Sequence, residues 1–336
     1  MEENVTIQGP SIALVAPRNL TDACIATPAF RAVARAHPNA MVTVLCPKPH
    51  TALWQIHFLN VLPYEADADV QKLTERFQSS TFHSALIFED SPAARALCRL
   101  QVPQRLGFNL PELNKILTNP ISLPRENGPL PHRIDRYLDL AEHLACSPRE
   151  AGNFSPPPLP PRPPRPRLAL APDTELGPAA EWPIHHYKSL IELLKDTLDP
   201  EVFIISMPDA ASLADALTQS LNPNANAEQL QQPSDSDFSF SLSSLCEVLP
   251  TFSALVTPNG HLAHLAAHLG LPTVTLFGPQ HPAQQRPLGK IHESLSSYAE
   301  CSPCNLHKCP LDHRCLSELS PQRVLEKVKK VISIKR

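Results

Sequence analysis

Three histidines, His261, His264 and His268, follow the turn Pro258-Asn259-Gly260 at spacings of i, i+3 and i+7. On a helix that spacing lines them along one face, where they could hold a metal or meet an anion. No carboxylate accompanies them in the segment, which favours the anion. Asn259 is placed as the N-cap, so the first amides of the helix, at Gly260, His261 and Leu262, and the positive end of its dipole point out of the loop. His264 lies one turn in and leans back toward the same point, because helical side chains tilt toward the N-terminus. The chemistry is that of a phosphate seat; the plain alternative is a capped helix such as any α/β domain contains.

Two other constellations carry reactive groups. Asp22 stands at the carboxyl end of the apolar run Ser11–Pro17, where a carboxylate either caps the next turn or faces a cleft and accepts a proton. Cys301, Cys304, Cys309, His313 and Cys315 fall within 15 residues. A Cys-x-x-Cys followed by further Cys and His suits one tetrahedral structural zinc ion, and it equally suits reduced thiols packed in a core.

The elements that must position these groups alternate. SIALVAP (Ser11–Pro17) and MVTVLCP (Met41–Pro47) read as buried parallel strands around TPAFRAVARAHP, whose Thr27 and Pro28 are placed as N-cap and N1 of the intervening helix. HSALIFED and QRLGFN continue the strands, SPAARALCRL and HRIDRYLDLAEHLAC the helices, which gives one doubly wound domain over residues 1–150. SPPPLPPRPPRPR then breaks the pattern; residues 151–166 read as an extended, semi-rigid linker. The strand and helix rhythm restarts with RLALAP (Arg167–Pro172), EVFIISMP (Glu201–Pro208), Ser253–Thr257 and PTVTLFGP, a second parallel sheet over residues 167–319. Ser320-Pro321 opens a last helix, 320–336, with Val324, Leu325, Val328 and Val331 on one side.

With both sheets in view the chain resembles the ADP-heptose:lipopolysaccharide heptosyltransferases, glycosyltransferase family 9. That family's donor-site motif runs Ser-Pro-Asp-Thr-Gly-Pro-Met-His-(Leu/Ile)-Ala and then Leu-Gly-x-Pro…Phe-Gly-Pro. Thr257, Pro258, His264, Leu265, Ala266, Leu269, Gly270, Pro272, Phe277, Gly278 and Pro279 fit it, while its Asp-Thr-Gly centre is Asn259, Gly260 and His261 here. APRNLTDACIATPAFRAVARAHP is similar to the family's opening, whose loop aspartate deprotonates the acceptor sugar; Asp22 is the matching position, with Thr21 for the usual glycine. PDTELGPAAEWPIHHY is similar to the heptosyltransferase II segment Pro-Gly-Ala-Glu-(Phe/Tyr)-Gly-Pro-Ala-Lys-Arg-Trp-Pro, through Glu175, Gly177, Pro178, Ala179, Trp182, Pro183 and Tyr187. The Lys-Arg pair, whose lysine the family is expected to place on the donor's diphosphate, is Ala180-Glu181; Arg18, Lys188 and Arg286 are the cations available to replace it.

The resemblance implies a GT-B fold, two Rossmann-like doubly wound domains facing across a cleft, and inverting transfer of heptose from ADP-heptose to the lipopolysaccharide inner core or another lipid-linked sugar. Asp22 is then the catalytic base, and Thr174, Asn259, Gly260, His261, Leu262, His264, Phe277, Gly278 and Pro279 bind the donor. No cofactor is required, and any zinc at the cysteine cluster is structural. The departures at the diphosphate also allow a nucleotide-sugar-binding protein with impaired transfer, or a different donor.

Composition agrees with these classes. A formal net charge of −4 over 336 residues lacks the basic balance of a nucleic-acid binder. The acidic N-terminus has no basic region before its short apolar run, and no stretch reaches the roughly 18 apolar residues of a membrane span. The expected location is the cytoplasm, with peripheral contact at the cytoplasmic face of the inner membrane. The odd count of 9 cysteines then reads as thiols. With 9 glycines against 39 prolines and no Gly-x-Gly-x-x-Gly run, phosphate must be held by helix ends.

Overall fold

The computed structural model describes residues 9–123, 130–207, 212–221 and 241–334. Residues 1–8, read above as lacking a signal, Pro208 of the expected strand and the last two residues of the terminal helix lie outside these. The chain divides into two units, Met1–Ser155 and Pro156–Arg336.

The first unit is a six-stranded sheet of β1 (Ser11–Val15), β2 (Met41–Pro47), β3 (Asn60–Tyr64), β4 (Ser84–Ile87), β5 (Gln104–Phe108) and β6 (Asn119–Ile121), in the order β3-β2-β1-β4-β5-β6. Every pairing is parallel. This is the Rossmann order, in which the direction of winding reverses between β1 and β4 and leaves a crevice at the carboxyl end of β1. All five residues of β1 are buried, as its continuous apolar run predicts for a strand covered on both faces.

The following helix differs from the sequence expectation. It begins at Leu20, not at Thr27-Pro28, and runs to Ala36 with Pro28 inside it. Asn19 is the N-cap, its side chain accepting the Asp22 amide at 3.2 Å. A proline in a helix costs about 3 kcal/mol through a lost amide and crowding of the preceding turn. Here Cys24, Ile25, Phe30 and Val33 are buried along the same helix, and four such side chains at roughly 1.5–3 kcal/mol each offset that cost.

The second unit is a five-stranded parallel sheet of β7 (Arg167–Leu170), β8 (Glu201–Ile204), β9 (Ala254–Pro258), β10 (Thr273–Phe277) and β11 (Glu293–Ser296), in the order β11-β10-β9-β7-β8. The winding reverses between β7 and β9, so the loops leaving those two strands flank the crevice. Leu168, Leu170, Val256, Val274 and Leu276 of the sheet share a core with Trp182, Tyr187 and Leu190, and with Val324, Leu325, Val328 and Val331 of the terminal helix Pro321–Ser333. Ser320 caps that helix, accepting the Arg323 amide, and Pro321 stands in its first turn as the sequence indicates. Residues 155–166 form neither helix nor strand, and Arg162 bonds the Ile332 carbonyl. Among the described residues no helix is long and apolar enough to cross a membrane.

Candidate functional site

A cavity of about 460 Å³ opens in the second unit where the strand order reverses. The loop after β7 lines it with Asp173, Thr174, Glu175 and Gly177; the end of β9 and the helix His261–His268 contribute Thr257, Pro258, Gly260, His261 and Leu262; Met207 and His307 complete that lining together with Pro178 and Glu181. Of the expected donor residues, Thr174, Gly260, His261 and Leu262 are brought together. Asn259 and His264 are buried beside the cavity, 2% and 3% exposed, and are not among its lining residues.

Asn259 does not cap the helix. Its amide still bonds the Leu276 carbonyl as a continuation of the sheet, and its side-chain amide donates to Gln285 Oε1 at 3.0 Å. The cap position falls to Gly260, which has no side chain to offer. The acceptor comes instead from 86 residues away: both Glu175 oxygens accept the His261 amide at 3.0 Å, and Glu175 Oε1 meets His261 Nδ1 at 3.0 Å. Thr174 Oγ1 donates to the Asn259 carbonyl at 2.8 Å and pins the two loops. Gly260 makes this approach possible, because a Cβ there would lie 2.7 Å from both Glu175 Oε2 and Thr174 Oγ1. Asp173 acts likewise on another helix, accepting the amides of Leu213 and Ala214 at 2.8 and 3.1 Å. The loop after β7 therefore supplies carboxylate acceptors to the first turns of two helices.

These carboxylates have different proton affinities. Burial pushes Asp173 and Glu181 above the usual carboxylate range, and for Glu181 the Asp173 charge adds to it. Burial acts the same way on Glu175, but the His261 ring and amide outweigh it and hold Glu175 below that range. A depressed native value means that Glu175 contributes stability that is fully present above its unfolded value of about 4.3 and is lost as pH falls through the native value. Thermal melts of the wild type and Glu175→Gln are expected to differ most above pH 5 and to converge toward pH 3.

Among the described residues that line the cavity there is no Lys or Arg. Ala180, in the position of the family's lysine, is 1% exposed. Lys188 and Arg286 are outside the lining, and Arg18 belongs to the first unit, where its Nε lies 3.3 Å from Glu89 Oε1. None of the three expected compensating cations is among this cavity's lining residues. What lies there is His261 and His307, beside Asp173, Glu175 and Glu181.

Phe277, Gly278 and Pro279 are likewise not among the lining residues. Phe277 is fully buried, and a Cβ on Gly278 would lie 2.7 Å from Leu316 Cδ1. The Gly278 carbonyl accepts Ser302 Oγ at 2.6 Å and the Pro279 carbonyl accepts the Asn305 amide at 2.9 Å. This turn thus serves as the bed for the cysteine-rich segment. That segment in turn clamps the cavity loop: the His307 carbonyl accepts the Ala179 amide at 3.1 Å, and His313 Nε2 meets the Ala179 carbonyl at 2.8 Å. Cys301, Cys304 and Cys309 lie near enough to Cys315 to act on its thiol, while among the described residues no group of three or more His, Cys, Asp or Glu side chains is arranged to hold a metal ion. All nine cysteines are free thiols, and burial raises Cys315 to about 11.

In the first unit Asp22 sits in the opening turn of the helix Leu20–Ala36, which follows β1 at the reversal of winding between β1 and β4. Its Oδ2 lies 2.7 Å from Arg133 Nη2, with the two side chains 19% and 39% exposed. Arg133 was absent from the expected set: it is 111 residues away in sequence, and nothing in HRIDRY marks one arginine over the other. Glu175 was legible as a motif match, but its role as a cap depends on two loops meeting and has no local signature.

The family model for glycosyltransferase family 9 (heptosyltransferase) matches residues 129–314. Lipopolysaccharide heptosyltransferase 2 of Escherichia coli is 23% identical over 354 residues, covering 94% of this chain and 97% of that protein. The solved structure of E. coli ADP-heptose LPS heptosyltransferase II superposes with a TM-score of 0.75 at 22% identity, over 96% of this chain and 98% of that one. E. coli heptosyltransferase WaaC with ADP gives a TM-score of 0.68 at 16% identity, over 96% and 99%.

Proposed function

Since this chain belongs to glycosyltransferase family 9, the heptosyltransferases, we propose that it transfers heptose from ADP-heptose to the lipopolysaccharide inner core, with inversion at the sugar's anomeric carbon. The observation that carries the reading is the cavity at the strand-order reversal of the second unit, with a helix N-terminus on its wall that already holds an anionic group. A donor diphosphate has the same charge sign and the same need for amide donors. ADP is the ligand in the WaaC structure, and the E. coli heptosyltransferase II is named for ADP-heptose.

In this reading Asp22 takes the proton of the acceptor hydroxyl as that oxygen bonds the anomeric carbon, and the bond from that carbon to the diphosphate oxygen breaks on the opposite face. ADP leaves with the electron pair. The amides and dipole of the helix His261–His268 and the imidazoles of His261 and His307 gain most as that charge develops, which is where stabilisation raises the rate. Arg133, whose Nη2 donates to Asp22 Oδ2 at 2.7 Å, orients the carboxylate. The acceptor is an inner-core or other lipid-linked sugar, met by a cytoplasmic protein at the cytoplasmic face of the inner membrane.

The test is a donor screen by thermal shift followed by transfer assays. ADP-sugars are expected to raise the melting temperature more than GDP- or UDP-sugars at equal concentration, and ADP-heptose to support transfer to a heptose-deficient core acceptor. Stabilisation by GDP- or UDP-sugars alone would move the assignment to another donor. ADP binding without turnover on the correct acceptor would make the protein a transferase impaired by its altered donor site.

A further inference from the structure

The carboxylate of Glu175 occupies the place that the proposed function gives to the donor's phosphate. Three observations converge on it. Both of its oxygens are 3.0 Å from the His261 amide, the first amide of the helix. The His261 ring adds a third contact at 3.0 Å. The absence of a side chain at Gly260 leaves the opening through which the carboxylate reaches the helix. Two of the departures from the family's Asp-Thr-Gly centre, Gly260 and His261, are thereby explained together: one admits the carboxylate and the other grips it.

We infer that Glu175 is an internal competitor for the donor diphosphate, a carboxylate that closes the empty seat and is displaced from the His261 amide when donor binds. This rests on the reading of the cavity as the donor seat. Two anions cannot share one amide, and a diphosphate entering beside Asp173, Glu175 and Glu181 meets repulsion that grows with its charge. Displacement frees the amide and the His261 ring for the phosphate, so the loop after β7 loosens as ligand enters. The competitor also selects: a ligand with little negative charge has no means of removing it.

The experiment compares adenosine, AMP and ADP binding by calorimetry to the wild type and to Glu175→Gln, which keeps the side chain's shape and removes its charge. The variant is expected to bind ADP on the order of tenfold more tightly, AMP by a smaller factor and adenosine unchanged, the scale set by one charge-assisted contact. A merely structural role for Glu175 would weaken all three ligands alike. A second measurement needs no variant: saturating ADP is expected to speed amide hydrogen exchange at residues 174–177 of the wild type while slowing it at 260–263. ADP binding with no gain in the variant, or slowed exchange in both segments, overturns the inference and leaves the donor site standing. Failure of both proteins to bind ADP overturns both.

Discussion

Replacing Asp22 by Asn is expected to lower kcat by about a thousandfold, within the range for loss of a general base, while ADP affinity stays within about a factor of two. The amide is isosteric, and its carbonyl oxygen can still accept the bond that Arg133 Nη2 now donates at 2.7 Å. What it cannot do is take a proton at neutral pH. The proposed donor cavity is in the second unit, and Asp22 is not among the residues that line it. Nor can unfolding mimic the result. The Asp22–Arg133 pair is partly exposed, and such pairs contribute about 1 kcal/mol or less. Single-turnover transfer with saturating donor and acceptor, beside calorimetric ADP binding, makes the measurement; full turnover by Asp22→Asn would remove the base from the mechanism.

The two parallel sheets were legible because their inner strands are short, mostly apolar runs rich in β-branched residues. β1, β9 and β10 carry five buried residues each, with every position buried. The strands the sequence did not reveal are all at sheet edges. β3 contains Pro63 and β6 contains Pro120, and a proline argues against an inner strand, where the amides on both sides are needed by partner strands. At an edge the amides on one side have no partner strand, so a proline is tolerated there. β11, ESLS, is polar for the same reason: one side of it has no partner strand. The helix Leu20–Ala36 was misplaced because Pro28 is a start signal by local rules, whereas burial of its face decides the outcome.

The candidate site divides along a similar line. The placement of Gly260 and His261 was legible because a strand, a tight turn and a helix put the turn at the carboxyl edge of the sheet whatever lies around it. Asn259 was misread because N-cap preference is a statement about one residue and its next three amides. The structure settles the cap between two loops 86 residues apart, and the sheet keeps the Asn259 amide for Leu276. Long-range pairs such as Glu175 with His261 and Arg133 with Asp22 leave no periodic trace. They follow only once the strand order, β7 beside β9 and β1 beside β4, is known.

Trp182→Ala is expected to destabilise the second unit by about 3–5 kcal/mol, the range for removing a large aromatic side chain from a core. Trp182 is fully buried at the junction of the cavity loop and the helix Ile184–Thr197. Its ring stacks on His186 at 5.2 Å and meets Tyr187 edge-on at 4.7 Å. Its indole N–H donates to the Leu319 carbonyl at 2.9 Å, which ties the loop to the segment leading into the terminal helix. Alanine removes the rings' partner, opens a cavity and leaves a buried carbonyl without its donor. Trp182→Phe fills most of the volume and loses only the hydrogen bond, so it should cost about 1–3 kcal/mol. The chain's other tryptophan, Trp54, is in the core of the first unit. Trp54 fluorescence in the alanine variant therefore follows the first unit alone, while far-UV circular dichroism follows both. Urea titrations should show the dichroism transition moving to lower denaturant ahead of the fluorescence transition. ADP affinity should fall with it, because Asp173, Thr174 and Glu175 stand on the loop that Trp182 anchors. A loss below about 1 kcal/mol would mean that the clamp from Ala179 to His307 and His313 holds the loop without the indole.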